Sequence, residues 1–143
     1  MMIKTILKSK GDAVITISAF ESVRDAMDTM VEHRIAALVV TNGAEVIGVV
    51  SERDVLQAIS DGGANIFNAP VAHIIAGPLV AVSPEDTTKR VMHLMTHSRI
   101  RHLPVMENGQ LAGIVSVGDI VKYRLEELEL ESNVLRDLAV AVR

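Results

Sequence analysis

The chain has 143 residues, 49% of them hydrophobic, with a formal charge of -4, 2% aromatics and no cysteine. That gives room for one ordinary domain, or for two half-size units sharing a core. An acidic chain this poor in rings argues against a duplex-binding face and against single-strand stacking, so nucleic acid is not an expected partner. Without thiols, cysteine catalysis, thiolate metal sites and disulfides are excluded. The lack of a leader-like segment, or of an apolar run near 20 residues, sets the expectation of a cytoplasmic protein with no membrane association.

The chain opens on MMIKTILKSKGDAV, where Lys is mixed with single apolar residues, and then runs extended through VITI from Val14. Ser18 leads into a helix whose Val23, Ala26, Met27, Met30 and Val31 recur at a 3.6-residue period, marking a core face. Next come AALVV (Ala36 to Val40) and VIGVV (Val46 to Val50), joined as a hairpin across Asn42-Gly43. Ser51 follows, with a second helix starting near Asp54. SDGGANIFNAP breaks that helix and makes a connection, and VAHIIA forms a short helical turn stopped by Gly77-Pro78.

The same order then returns. LVAV from Leu79 is extended, Ser83 leads into a helix with Val91, Met92 and Met95 on its core face, HLPV and LAGIV make a hairpin, and Ser116 precedes a helix near Asp119. The repeat is regular: Met27 and Met92, Arg34 and Arg99, Leu38 and Leu103, Gly48 and Gly113, Ser51 and Ser116, and Asp54 and Asp119 all stand 65 apart. The fold class is therefore α/β (α+β), with a β-α-β-β-α unit occurring twice. The expected boundaries are 1–62 for the first repeat with the N-terminal segment, 63–78 for a linker, 79–124 for the second repeat and 125–143 for a C-terminal amphipathic helix. In that last stretch Val121, Leu125, Leu128, Ser132, Leu135, Ala139 and Val142 alternate spacings of four and three, a seam that either packs back on its own domain or pairs with a second copy.

GVVSERD and GIVSVGD carry the chemistry. Ser three residues before Asp is a capping box, the hydroxyl and carboxylate satisfying free backbone N–H groups at a helix start. The same geometry also suits a ligand, because a helix N-terminus attracts phosphate and a carboxylate can accept from two vicinal hydroxyls of a ribose. Both readings stand at this level. Gly48 and Gly113 lie in strands, where glycine marks close approach of backbone or ligand. RIRHLPV sets Arg99, Arg101 and His102 at a strand mouth, whereas RIAALVV has Ala36 and Ala37 there, so two clefts would differ in charge. Arg53 beside Asp54 is solvated or assists a cleft. His93 and His97 stand four apart without a third ligand, so no metal is expected, and no nucleophile and base can be paired, so no enzyme is expected.

At these residues the sequence resembles the CBS domain. The marks are the two Gly-x-x-Ser-x-x-Asp motifs, RHLPV and the repeated element order, covering Val14 to Tyr123, and the tandem pair resembles a Bateman module. It is similar to small stand-alone bacterial CBS-pair proteins ending in an acidic helix, some of which bind AMP or NAD. The resemblance implies two repeats about a pseudo-twofold axis, with clefts for AMP or a related adenine nucleotide such as ADP, ATP or NAD. By that resemblance Asp54 would hold the ribose and Ser51 the phosphate, facing Arg101 and His102 from the other repeat, while Asp119 and Ser116 would face Ile35, Ala36 and Ala37. The function implied is a nucleotide sensor acting on a homodimer or on a regulated protein. The alternative is a constitutive dimerisation module with no small-molecule ligand.

Overall fold

A computed structural model describes residues 1–75 and 77–141. Ala76 at the end of VAHIIA and Val142 at the end of the seam lie outside the described residues. In the first repeat β1 (Thr16–Ser18) runs parallel to β2 (Ala37–Asn42), which pairs antiparallel with β3 (Glu45–Ser51). The helix α2 (Val23–His33) crosses between β1 and β2, and α3 (Glu52–Gly62) follows β3. The second repeat has α4 (Thr88–Ser98), then the antiparallel pair β4 (His102–Glu107) and β5 (Gln110–Ser116), then α5 (Val117–Ala141). The α-β-β-α order is thus present twice, preceded by a full strand only in the first repeat, and each unit is built around its own apolar cluster.

The helix faces follow the sequence period, with Val23, Ala26 and Met30 buried in α2 and Val91 and Met95 in α4. Val31 departs from the expectation at 77% exposed. At 100° per residue it lies about 90° from the centre of the stripe, so it falls off the buried edge. The helices also start later than Ser18 and Ser83 suggested. Ser22 and Thr87 are the N-caps, accepting from the backbone N–H of Asp25 and Arg90 at 3.0 and 3.1 Å.

The hairpins turn at matching positions but with different residues. Asn108 and Gly109 both have positive φ (52° and 76°), the type I′ requirement. In the first hairpin Asn42 ends β2 paired with Glu45, and the turn falls on Gly43 and Ala44 instead of Asn42-Gly43. Gly43 alone takes positive φ there (62°), as a type II′ turn needs. Both hairpins slip register at equivalent places, Val40/Thr41 and Val105/Met106, opposite Gly48 and Gly113.

LVAV does not form a full strand. It contributes a single parallel bridge, Val82 to Val105. In the first repeat the N–H of Val39 donates to the Ile15 carbonyl at 3.3 Å. The residue 65 positions further on is Pro104, which has no N–H, so the ladder is cut short.

One element was not expected: α1 (Ile3–Lys10). It buries Ile3, Ile6 and Leu7 in the core of the second repeat, although it precedes the first. Reciprocally, Val71, with Ile66, Phe67, Ile74 and Ile75 of the connecting segment, packs on the core of the first repeat. The two segments dock alike. The N–H groups of Ile3 and Lys4 donate to the carbonyls of Asp86 and Pro84, and those of Val71 and Ala72 to Glu21 and Ala19. Met2 bridges Thr87 as Pro70 bridges Ser22. Ile3 and Val71, and Leu7 and Ile75, stand 68 apart, so the pseudo-twofold relation extends to these segments. Each repeat is completed by the piece of chain that precedes its sister.

Candidate functional site

Ser51 and Asp54 open α3 as a complete capping box. The Ser51 Oγ accepts from the Asp54 N–H at 3.2 Å, and Asp54 Oδ2 accepts from the N–H and the Oγ–H of Ser51 at 2.8 and 2.9 Å. Among the described residues every bond to this carboxylate goes to Oδ2, and none goes to Oδ1. Capping therefore uses one oxygen of the carboxylate.

This helix start faces a cleft of about 490 Å³, within the usual size for a small-molecule site. Ser51, Glu52, Arg53 and Asp54 line one side, and Arg99, Ile100, Arg101 and His102 from the second repeat line the other. Ile75, Pro78, Leu79 and Val80 from the connecting segment, with Gly48 and Val49, add an aliphatic wall. Ala36 lines this cleft too, instead of facing Ser116 and Asp119. Burial keeps the His102 imidazole below its ordinary value of 6.5. The Asp119 carboxylate opposes that shift, Lys10 and Arg101 reinforce it, and Glu52 opposes it again. His102 is accordingly a neutral ring at pH 7, close to both motif helices.

At the second motif the cap is present and Lys10 stands on its carboxylate. Ser116 Oγ accepts from the Asp119 N–H at 3.1 Å, and Asp119 Oδ2 accepts from the Ser116 N–H at 2.9 Å. The same Oδ2 takes a hydrogen bond from Lys10 Nζ at 2.7 Å, and Lys10 also donates to the Ile114 carbonyl at 2.9 Å. Burial resists ionisation of Asp119, but Lys10 and Ser116 outweigh it and hold the carboxyl below 3.8. Ile35 packs on the first core and Ala37 is buried opposite Ser51 in the β2–β3 ladder, so neither meets Asp119 across an open cleft. The strand glycines are explained by side chains. A Cβ on Gly48 would lie 2.8 Å from Ile75 Cγ2, and one on Gly113 would lie 2.6 Å from Leu7 Cδ2.

Sequence reasoning missed Ile75, Pro78, Leu79, Val80 and Lys10. The signal for the first four was the apolar connecting segment in a chain almost without aromatics. For Lys10 it was the match of Ile3-x-x-Ile6-Leu7 to Val71-x-x-Ile74-Ile75, which puts Lys10 where Pro78 stands. The histidine pair is locally satisfied, since His97 Nδ1 lies 2.9 Å from the His93 carbonyl oxygen.

The CBS domain description matches residues 9–61 and 71–126. The chain belongs to the CBS domain family. It is 34% identical over 134 residues to a mitochondrial CBS domain-containing protein of Arabidopsis thaliana, covering 87% of this chain and 65% of that one. It thus spans just under two thirds of that relative's length. Among solved structures, a CBS-domain containing protein from Agrobacterium tumefaciens is 38% identical with a TM-score of 0.83, covering 87% of this chain and 99% of that one. A CBS domain pair solved with 5′-methylthioadenosine and S-adenosyl-L-methionine shares the fold at a TM-score of 0.77 and 19% identity, covering 89% and 98%. A CBS pair is generally a regulatory module, not a catalytic one. Among the described residues no helix is long and apolar enough to cross a membrane.

Proposed function

We propose that the chain is a cytoplasmic adenine-nucleotide sensor without catalytic turnover, binding one AMP-like ligand in the cleft between Asp54 and Arg101. The single observation behind this reading is the juxtaposition of a capped helix start, Ser51 and Asp54, with Arg99, Arg101 and His102 of the other repeat across an aliphatic-walled hollow. In the proposal Asp54 Oδ1 accepts from the ribose hydroxyls. The α3 N-terminus with Ser51, Arg53, Arg101 and His102 receives the phosphate. Ile75, Pro78, Leu79 and Val80 cover the base. The adenosyl ligands of a CBS pair with the same fold support the ligand class. Because both repeats contribute, occupancy favours one relative arrangement of the two, and this alters a homodimer or the affinity for a regulated protein.

The second motif, with Lys10 on Asp119, favours the other reading for its own half: there Ser116 and Asp119 serve as a cap and as an anchor for α1. Calorimetry with AMP, ADP, ATP, NAD and S-adenosylmethionine tests the proposal. One site per chain is expected, lost in Asp54→Ala and kept in Asp119→Ala. A ligand at 100 times its dissociation constant adds about 2.7 kcal/mol, visible as a melting point several degrees higher. If Asp54→Ala costs about 1 kcal/mol of stability and spares binding, the carboxylate is only a cap, and if no nucleotide binds the native chain the alternative of a ligand-free interaction module stands.

A further inference from the structure

The face of α5 turned away from the molecule carries an unused repeat. The helix runs from Val117 to Ala141. Ile120 and Tyr123 are buried in the second core, and Glu127 lies beside Thr88 and the N-terminus. These residues fix which side meets the body. Val121, Leu125 and Leu128 lie on the opposite side and are 44 to 55% exposed. From Leu128 to Ala141 every residue is exposed, Leu135 and Leu138 included. Packing back on the domain, one of the two readings of the seam, is therefore not what this helix does.

We infer that residues 121–141 of two copies form a parallel, in-register two-stranded coiled coil. The inference deepens the homodimer part of the proposed function and rests on that part alone, not on nucleotide binding. Val121, Leu128 and Leu135 occupy d positions, and Leu125, Ser132 and Ala139 occupy a positions, over about 30 Å of helix. Leu at d suits two parallel strands. Ser132 sits at the central a position, where pairing with itself satisfies a hydroxyl that any other register would bury against an aliphatic side chain.

The flanking charges choose the orientation. In a parallel pair each g residue faces the e residue five positions later on the other helix, which sets Glu131 against Arg136 and Arg124 against Glu129, all four pairs attractive across the two copies. Arg124 also has Glu127 of its own chain at 2.8 Å, so Glu131 with Arg136 is the decisive contact. A fully overlapped antiparallel pair, Leu128 opposite Ser132, would instead set Glu129 against Glu129, Glu131 against Glu131 and Lys122 against Arg136. Like charges at these flanks, with only Arg124 opposite Leu138 neutral, disfavour that arrangement.

Sedimentation equilibrium on the full chain should give a dimer. Leu128→Glu with Leu135→Glu should be a monomer at concentrations where the native chain is dimeric, with the circular dichroism of the folded body and any AMP-induced melting shift retained. The chain has no cysteine, so Ser132→Cys reports register directly: mild oxidation should link two copies, whereas Asn133→Cys on the outer face should not link. Glu131→Arg should weaken the dimer, and adding Arg136→Glu to that variant should restore it. A monomeric or tetrameric native chain, a dimer that survives both Leu replacements, or equal linking through positions 132 and 133 would each overturn the assignment. Failure of AMP to bind would leave all of these outcomes unchanged.

Discussion

The His102 imidazole lines the cleft, and burial keeps it neutral near pH 7 against the pull of Asp119. Its folded pKa is lowered, so its contribution to folding is present above 6.5 and is lost as pH falls through the folded value. A bound phosphate has the opposite sign of effect, because it favours the imidazolium and so draws a proton into the complex. Binding of a nucleotide should therefore tighten through His102 between pH 8 and pH 6. The phosphate loses charge over the same range, near a pKa of about 6, so the informative comparison is with His102→Gln. That variant should lose the proton uptake seen when calorimetry is repeated in buffers of different ionisation enthalpy. Equal uptake in both proteins would remove His102 from the phosphate site. Gly113 makes a second prediction at this scale. Gly113→Ala pushes a methyl against Leu7 and should cost about 1 to 3 kcal/mol in urea unfolding. In a double-mutant cycle with Leu7→Ala the two losses should be less than additive, since the smaller side chain removes the clash.

At the scale of elements, much of the fold was legible because each signal was local. Asn108-Gly109, the alternation around it and the Ser-x-x-Asp boxes fixed β4, β5 and the start of α5 within a residue or two. What misled were positions where a partner strand or a distant segment decided. LVAV has strand composition, but Pro104 on the facing strand lacks the N–H it would need, and no local pattern in residues 79–82 shows that. MMIKTILKSK is too short to form a stable helix by propensity and becomes one by docking on Pro84 and Asp86. The first cleft was legible because its polar residues lie in two motifs. The Lys10 contact at the second motif was not, because Lys10 comes from outside both. The α1 anchor has its own signature in acid. Asp119 is held below 3.8, so the stability it gives is present above that value and is lost as pH falls through its folded pKa. Lys10→Met should reduce that stability at pH 7 and flatten the acid limb of the stability curve. An unchanged pH profile would mean that the Lys10 contact contributes nothing in solution.

For the whole molecule, the reciprocal docking of α1 and the connecting segment makes the halves interdependent. Residues 1–62 carry the α1 that completes the second core, and residues 63–143 carry the Val71 to Ile75 stretch that completes the first. Each fragment alone should lack cooperative unfolding by circular dichroism, since it leaves apolar surface uncovered. Mixed in equal amounts, the two should associate and recover a single cooperative melt. A fragment that melts cooperatively alone would show that the exchanged pieces are decoration. The same exchange limits how a ligand can act, because the two bodies are clasped at both ends and cannot swing apart like a book opening on one spine. A nucleotide bound between the repeats as proposed would bear on a body held together at two places, through the connecting segment and through α1.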